Sequence, residues 1–219
     1  MDGSKKTRVV AYIDGFNFYH SIANNLPIKY KWMNYKSIVE KFLSENDEIT
    51  DIFLFTALPK WDTLKIQRHN TFMSVMSSLW IRIINGNYTS VTKNFSAIKH
   101  KVLDPLDAIV SPQRFKYSTF EEKQTDVNMA LYIFEWAVMN YYDKAIIFSG
   151  DSDIAPAIHM ARWHFPNKKF MCVLPFKWKG RVIASSCDMS KTITFPILDN
   201  SLLTETITIG GRKIYSPYK

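Results

Sequence analysis

Acidic residues follow two short apolar segments of this chain. The run AIIF at residues 145–148 leads into SGDSD at 149–153, and VVAYI at 9–13 leads directly into Asp14. Short aliphatic runs without alternation are typical of strands buried inside a parallel sheet. Ligands of open α/β sheets bind beyond the carboxyl ends of the strands, so these carboxylates are expected at a crevice. Carboxylates gathered in this way indicate a site for a hard cation.

A third acidic segment is expected at the same edge of the sheet. Asp126 lies at the head of a segment that is predicted to be helical by apolar residues at helical spacing: Ala130, Leu131, Phe134, Ala137, Val138 and Tyr141. Since this helix leads into the strand at 145–148 and runs antiparallel to it, the helix N-terminus returns beside the strand C-terminus. Asp126 is therefore expected near Asp14, Asp151 and Asp153, and the four carboxylates form one acidic rim.

Each acid also has a purely structural interpretation. Asp14, Asp151 and Asp153 precede predicted helices, where aspartate is a preferred N-cap, and Pro156 fits a first helical turn. Asp126 in a first turn favours the helix dipole without any further function. Capping needs one acid per helix, however, whereas two carboxylates surround the turn after the second apolar run. Together the three segments favour a functional site over separate caps.

Three sequence blocks resemble the signature blocks of NYN domains. They are YIDGFNFY at residues 12–19, EKQTDVNMA at 122–130 and SGDSD at 149–153. Their order and spacing are similar to this LabA-like family of the PIN-like nuclease superfamily, over roughly residues 8–200. The resemblance implies a Rossmann-like parallel sheet and a ribonuclease that depends on Mg²⁺ or Mn²⁺. One departure is Gln124, which stands where family members often have glycine and affects the shape of the local turn.

The chemistry expected at the acidic rim is hydrolysis of a phosphodiester bond. Carboxylate-bound Mg²⁺ can activate a water molecule and neutralise the phosphate. Four aspartates are expected to hold the cation, directly or through water: Asp14, Asp126, Asp151 and Asp153. Asp153 has the alternative role of orienting the attacking water. Asn17, one helical turn beyond Asp14, places a neutral amide beside the metal, and Ser149 is expected to bond either a carboxylate or the substrate phosphate.

Net charge and cysteine content narrow the class of protein further. The 219 residues carry 28 Lys and Arg against 20 Asp and Glu, which gives a net charge of +8 and a pI near 9.3. A basic surface around an acidic, cation-holding cleft suits a polyanion, although a basic face that serves only solubility gives the same excess. Cys172 and Cys187 lack a metal-type spacing and do not indicate a disulfide framework. With no signal peptide and no apolar run of about 18 residues, a soluble cytoplasmic protein without a membrane partner is expected.

Residues 87–120 lack clear periodicity and combine basic with aromatic side chains. The aromatic residues include Tyr88, Phe115 and Tyr117. Such a mixture can hold phosphates and stack unpaired bases, which predicts RNA as the partner, single-stranded in preference to duplex. The expected substrate-binding residues are Lys99, Lys101, Arg114 and Lys116. An edge hairpin whose charges are merely solvated is the alternative.

Predicted strands and helices alternate along the chain. Strands are expected at 8–14, 49–57, 80–84, 145–148 and 168–174, and helices at 15–25, 35–43, 61–79, 121–141, 154–163 and 181–187. This alternation predicts an α/β fold with a mainly parallel central sheet. The resemblance to PIN-like domains implies that the sheet belongs to a Rossmann-like three-layer sandwich. Residues 1–205 are assigned to the nuclease domain. Residues 206–219 form a hairpin or tail that serves packing or dimerisation, which leaves a homodimer open.

Two classes of function are consistent with these features. The first is a metal-dependent endoribonuclease, and the second is a non-catalytic RNA-binding or regulatory module that has kept the fold. The intact set of aspartates favours the enzyme, because a binding module gains nothing from carboxylates that repel phosphate. Zinc-type spacing, a Gly-x-Ser-x-Gly elbow and a GxxxxGKS loop are all missing from the sequence, which argues against a zinc enzyme, an esterase and an NTPase.

Overall fold

The structure, a computed structural model, describes residues 5–96 and 114–218. The strands among these residues are β1 (Thr7–Asp14), β2 (Asp47–Thr56), β3 (Ile81–Asn85), β4 (Asn87–Ser96), β5 (Arg114–Lys123), β6 (Lys144–Phe148), β7 (Lys169–Leu174), β8 (Met189–Thr192), β9 (Thr206–Ile209) and β10 (Arg212–Tyr215). The helices are α1 (Gly15–Ala23), α2 (Tyr35–Glu40), α3 (Thr63–Ser78), α4 (Thr125–Val138), α5 (Ala155–His164), α6 (Arg181–Ser186) and α7 (Phe195–Asp199), and short 3₁₀ turns cover Ile28–Lys31 and Ser152–Ile154. No helix within these two stretches is both long enough and apolar enough to cross a lipid bilayer.

Six parallel strands form the central sheet, in the order β3-β2-β1-β6-β7-β8. β1 pairs with β2 on one side and with β6 on the other. β2 and β3 are added in sequence on one side of β1, and β6, β7 and β8 are added in sequence on the other side. The direction in which strands are added therefore reverses between β1 and β6. In doubly wound sheets ligands bind at this switch point, beyond the carboxyl ends of the strands. The predicted α/β fold with a parallel sheet is confirmed, and Asp14 lies at its switch point.

Side chains of the central strand alternate between two hydrophobic cores. Val9, Ala11 and Ile13 face the core formed with α1, α2 and α3, whereas Val10 and Tyr12 face the core formed with α4, α5 and α6. A strand that is buried on both faces needs apolar residues at successive positions, which explains the unbroken apolar runs of the sequence. The predicted three layers are confirmed. Because both faces of the sheet are packed, the positions of the strand ends are fixed, and with them the positions of the polar residues that follow the strands at the switch point.

Residues 87–96 and 114–123 form a long antiparallel hairpin of β4 and β5. Pairing runs from Asn87 opposite Lys123 at its base to Ser96 opposite Arg114. This hairpin is separate from the central sheet. Its base adjoins α4, so the segment that lacked periodicity in the sequence leads directly to Asp126.

The helix predicted over 121–141 is shorter in the structure, and its predicted start was wrong. Residues before Gln124 belong to β5, because ladder pairing with β4 holds them extended, and α4 begins at Thr125. Gln124 has a φ of 77°, the left-handed conformation that glycine adopts without strain, so the backbone at this junction is one that favours glycine. The helix ends at Val138, and Asn140 turns the chain toward β6 with a φ of 53°.

The C-terminal segment folds back onto the body of the protein. β9 and β10 pair antiparallel around Gly210 and Gly211, whose positive φ angles of 54° and 80° are those of a tight hairpin turn. Ile207, Ile209 and Ile214 pack against the core on the side of α1, α2 and α3. The hairpin therefore shares the core of the preceding residues, and a homodimer stays a prediction.

The end of α3 provides a direct test of the backbone conformation. Trp80 follows this helix with a φ of 64° and is 85% exposed. Left-handed backbone costs a residue with a Cβ about 1 kcal/mol, a cost that glycine avoids. Trp80→Gly is therefore expected to be more stable than Trp80→Ala by about 1 kcal/mol in urea unfolding. Equal stability, or a more stable alanine variant, would contradict the left-handed end of α3.

Candidate active site

Asp14 ends β1 and caps α1, and its side chain is buried. Its Oδ1 accepts from the backbone N–H of Asn17 at 2.9 Å, and its Oδ2 accepts from the hydroxyl of Ser149 at 2.8 Å. Burial raises the pKa of Asp14 to about 7; both hydrogen bonds oppose this rise, while the negative charges of Asp126 and Asp151 add to it. The capping interpretation is correct for Asp14 but incomplete, because a cap alone does not bring three carboxylates together.

Ser149 and Asn17 connect the exits of the two central strands. Ser149 is fully buried; it donates to Asp14 and accepts from the backbone N–H of Asp151 at 3.0 Å. The Oδ1 of Asn17 accepts from the backbone N–H of Gly150 at 3.2 Å, which links α1 to the end of β6. Of the two partners expected for Ser149, the structure shows the carboxylate. Ser149 is therefore a positioning residue for Asp14 and Asp151.

Two glycines allow close approach of the backbone at the same place. A Cβ on Gly15 would lie 2.8 Å from the carbonyl oxygen of Phe55, and a Cβ on Gly150 would overlap the indole of Trp178. Because side chains do not tolerate such contacts, both positions require glycine. Phe55 and Trp178 thereby pack tightly against the two strand exits that carry the acids.

The other aspartates lie on the first turn of α4 and on the turn after β6. Asp126 is half-buried, and its burial together with the negative charges of Asp151 and Asp153 raises its pKa. Asp153 is exposed, and its backbone N–H donates to Oδ1 of Asp151 at 2.9 Å. Asp14, Asp126 and Asp151 line one cleft together with Asn17, whereas Asp153 does not line it but is near enough for its charge to act on Asp126.

The chemistry of these donors fits a hard divalent cation. Among residues 5–96 and 114–218, the ion pairs formed by the protein do not include Asp14, Asp126, Asp151 or Asp153. Their negative charges are therefore left uncompensated, and carboxylate and amide oxygens are ligands that Mg²⁺ prefers. Within the same residues, no three His, Cys, Asp or Glu side chains are grouped as direct ligands of one ion. The arrangement fits a cation held by one or two carboxylates and by water, as Mg²⁺ commonly is.

A cleft of about 830 Å³ opens at the acidic residues. Three cationic side chains also line it, namely Lys31, Lys65 and Arg68, together with several aromatic rings that include Trp61. The sequence interpretation missed these residues as a group. Trp61, Lys65 and Arg68 follow the carboxyl end of β2, so the rule that located the acids at strand ends would have located them as well.

Among the predicted basic residues, Lys116 can be located relative to the cleft. It is exposed in β5 and precedes Phe120, the first residue of β5 that lines the cleft, by four positions, which corresponds to about 13 Å along a strand. Arg114 belongs to the far end of β5, and Lys99 and Lys101 lie outside the described residues. The base of the hairpin lines the cleft through Tyr88, Phe120, Glu121 and Glu122. Contact of the distal basic residues with substrate stays a prediction for RNA long enough to reach them.

The family model of the NYN domain matches most of the chain, over residues 8–188. This chain belongs to the NYN-domain family. The family is part of the PIN-like superfamily, so the resemblance that the three sequence blocks indicated is confirmed. The matched range includes all four aspartates of the acidic rim as well as Asn17 and Ser149.

Proteins similar to this NYN protein include an enzyme of Pseudomonas putida and a solved structure from Vibrio parahaemolyticus. The 6-hydroxy-3-succinoylpyridine 3-monooxygenase HspA of Pseudomonas putida (strain DSM 28022 / S16) is 31% identical over 186 residues, which cover 74% of this chain and 57% of that protein. The chain thus spans little more than half the length of this relative. The crystal structure of VPA0982, a protein of unknown function from Vibrio parahaemolyticus RIMD 2210633, has a TM-score of 0.57 over 93% of this chain and 100% of that chain, at 15% identity. The second likeness shows the fold alone.

Replacement of Asp14 by asparagine is expected to change how stability depends on pH. Because folding raises the pKa of Asp14 from 3.8 to about 7, the folded state binds this proton more tightly than the unfolded state. The free energy of unfolding therefore falls as pH rises from about 4 to about 7, by at most about 4 kcal/mol. Asp14→Asn avoids this loss, so its melting temperature relative to the wild type should rise over the same range in the presence of a chelator.

Asp62→Asn is the matched control, because Asp62 also caps a helix. Its carboxylate accepts from the backbone N–H of Lys65 at 3.0 Å, and this hydrogen bond lowers its pKa. A carboxyl whose pKa is lower in the folded than in the unfolded state stabilises the folded state at pH values above its unfolded-state pKa. This stabilisation is lost as the pH falls. Asp62→Asn should therefore lose stability relative to the wild type toward neutral pH, the opposite trend. If the melting temperatures of Asp14→Asn and the wild type differed by the same amount at every pH, the raised pKa of the buried Asp14 carboxyl would be contradicted.

Proposed function

We propose that the protein is a divalent-metal-dependent ribonuclease that cleaves single-stranded RNA. The observation that carries this proposal is the group of uncompensated carboxylates at the switch point, Asp14, Asp126 and Asp151. Those charges alone repel RNA, whereas a bound cation turns the same place into a site for phosphate. Membership in the NYN family supports the proposal, because this family has the PIN-like nuclease fold.

The protein residues have separable roles in the proposed reaction. A bound Mg²⁺ or Mn²⁺ ion supplies a water of lowered pKa and neutralises charge on the phosphate. Asp14, Asp126 and Asp151 are the residues that would hold it, one or two of them directly and the others through water, and Ser149 keeps the Asp14 carboxylate oriented toward the cleft. The Oδ1 of Asn17 already accepts a backbone N–H, so its Nδ2 is the group that can donate to a phosphate oxygen.

Asp153 and the cationic side chains are assigned to the periphery of the reaction. Asp153 is exposed at the edge of the acidic rim, where it can orient the attacking water or accept its proton. Lys31, Lys65 and Arg68 line the cleft and can hold phosphates of the flanking nucleotides. The substrate backbone would thus run from the acidic rim past the start of α3.

A non-catalytic RNA-binding module on the same fold is the first alternative. Such a module would use the cationic and aromatic residues that line the cleft, but the acidic residues would then have no role. A second candidate comes from the relative that is named a 6-hydroxy-3-succinoylpyridine 3-monooxygenase. The aromatic lining fits a heteroaromatic ring, whereas the uncompensated carboxylates favour the ribonuclease, because a pyridine that carries a succinoyl group gains nothing from them.

RNA cleavage is expected to require Mg²⁺ or Mn²⁺ and to stop in EDTA. Asp14→Asn and Asp151→Asn should each lower the cleavage rate at least about 100-fold, since each removes a donor for the ion while retaining the capping hydrogen bond. The measurement is the initial rate on a labelled single-stranded oligoribonucleotide. Glu48→Gln, an exposed acid near the opposite end of β2, is the control and should keep the wild-type rate.

Three results would separate the proposal from its alternatives. Cleavage that survives exhaustive chelation would contradict the role of the ion. Tight RNA binding without cleavage under any divalent cation would support the non-catalytic module. Oxygen-dependent conversion of a hydroxypyridine, with RNA left intact, would support the function named for the relative.

The salt dependence of RNA binding should identify the cationic contacts. Replacing Lys65 and Arg68 by glutamine removes two cations of the cleft and should reduce the slope of log K against log salt by up to about 1.4. This reduction is expected for short and long RNA alike. Lys116→Gln, about 13 Å along β5 from Phe120 in the cleft wall, should reduce the slope only for RNA long enough to extend beyond the cleft. A slope that does not change in the double variant would show that RNA does not occupy this cleft.

A further inference from the structure

Three aromatic rings from two parts of the chain meet where the hairpin joins the cleft. Trp61 lies between β2 and α3, Tyr88 belongs to β4, and Phe120 belongs to β5. The rings of Trp61 and Phe120 are parallel within 5°, with their centroids 4.2 Å apart. Tyr88 meets Trp61 edge-on at 4.8 Å. All three line the cleft that contains the acids.

The stacked pair remains open to solvent although it is built from large apolar rings. Trp61 is 40% exposed and Phe120 is 42% exposed. Each ring covers one face of the other, and Tyr88 meets Trp61 edge-on, so the exposed area of the stack is where a further flat ring can continue it. Two parallel rings at the wall of a cleft therefore form a platform for an aromatic ligand.

The charges around the platform favour an aromatic ring that carries phosphate. Lys65 and Arg68 lie in the first two turns of α3, shortly after Trp61. Lys65 is in an ion pair with Asp62 at 3.8 Å, whereas Arg68 is in none of the ion pairs formed among residues 5–96 and 114–218. Glu121 is neutralised by two cations, since its carboxylate pairs with Lys93 at 2.5 Å and with Lys123 at 3.0 Å. A flat ring on the platform with anionic groups toward α3 corresponds to a nucleotide.

The platform is also close to the acidic rim along the chain. Tyr88 lies opposite Glu122 in the hairpin ladder. The carboxylate of Glu122 accepts from the backbone N–H of Thr125 at 3.1 Å, at the start of the helix that carries Asp126. A nucleotide base on the platform can therefore belong to the same strand of RNA as a phosphate at the acids.

We infer that Trp61 and Phe120 form a stacking subsite for one unpaired base of the RNA whose backbone is cleaved at the acidic rim. This inference rests on the proposed function and adds the reason for single-strand specificity. Bases in a duplex already stack on both faces, whereas an unpaired base can stack on an aromatic side chain. Trp61 is then a specificity-determining residue, distinct from the residues that hold the cation.

A purely structural role of the same rings predicts different behaviour. In that case the Trp61–Phe120 contact only packs the hairpin against the rest of the protein. Its loss then lowers the stability of the fold, and any loss of RNA affinity is the same whether or not the RNA carries bases. Trp61→Leu removes the aromatic face but keeps apolar bulk, and Trp61→Phe keeps an aromatic face. Trp80→Leu is the matched control, because Trp80 is exposed and does not line the cleft.

The experiment measures binding by fluorescence anisotropy in the Asp14→Asn background, which prevents cleavage. Each variant is tested with a single-stranded oligoribonucleotide, with its duplex, and with an oligonucleotide of the same length whose residues are abasic. Trp61→Leu is expected to weaken binding of the single strand about 5- to 100-fold, the range of one lost stacking contact. Trp61→Phe should retain most of the affinity, and Trp80→Leu all of it. Binding of the abasic strand and of the duplex, and the salt slope, should stay unchanged in Trp61→Leu.

The possible failures are distinguishable. Equal loss of affinity for the abasic and the normal strand in Trp61→Leu, or a large drop in its melting temperature, would overturn the stacking subsite in favour of the structural tie. Unchanged affinity in Trp61→Leu would also overturn it, while metal-dependent cleavage by the wild type would still uphold the proposed function. If the wild type binds RNA but never cleaves it, the proposed chemistry fails and the comparison of variants still decides the role of Trp61. If no RNA is bound at all, both proposals are overturned.

Discussion

The hydrogen bond from the Ser149 hydroxyl to Oδ2 of Asp14, at 2.8 Å, joins the exits of the two central strands. β1 and β6 are parallel neighbours, so the residues that follow them emerge side by side at the switch point. The same hydroxyl accepts from Asp151, and the other oxygen of Asp14 accepts from Asn17. The direction of the Asp14 carboxylate, the start of α1 and the turn after β6 all depend on this small network.

This network holds a carboxylate where the surrounding protein disfavours its charge. Burial raises the pKa of Asp14 to about 7, and the neighbouring charges raise the pKa of Asp126, so the metal-free protein is destabilised near neutral pH. Apolar packing on both faces of the sheet supplies the stability that tolerates this strain. Destabilised polar groups of this kind are typical of functional sites. A cation that binds the folded state alone would reverse the destabilisation.

The acidic rim was predictable because it follows from topology, whereas the rest of the cleft depends on packing that local patterns do not encode. β1 and β6 are parallel and α4 runs antiparallel to β6, so the backbone alone brings Asp14, Asp126 and Asp151 to the same edge of the sheet. The early start predicted for α4 was wrong because ladder pairing with β4 overrides helical periodicity, and the paired residues Asn87 and Lys123 are 36 positions apart in sequence. The sequence did not predict a role for Trp61, because that role depends on stacking with the ring of Phe120, which is 59 positions later in the chain.

Anomalous scattering from crystals of the protein soaked in Mn²⁺ tests the central claim most directly. The account predicts one strong peak at the switch point, about 2.1 Å from oxygens of one or two of Asp14, Asp126 and Asp151, with water completing the coordination. Crystals of Asp14→Asn should lose or weaken that peak. A structure without a peak at the switch point, at a Mn²⁺ concentration that supports RNA cleavage in solution, would contradict the account.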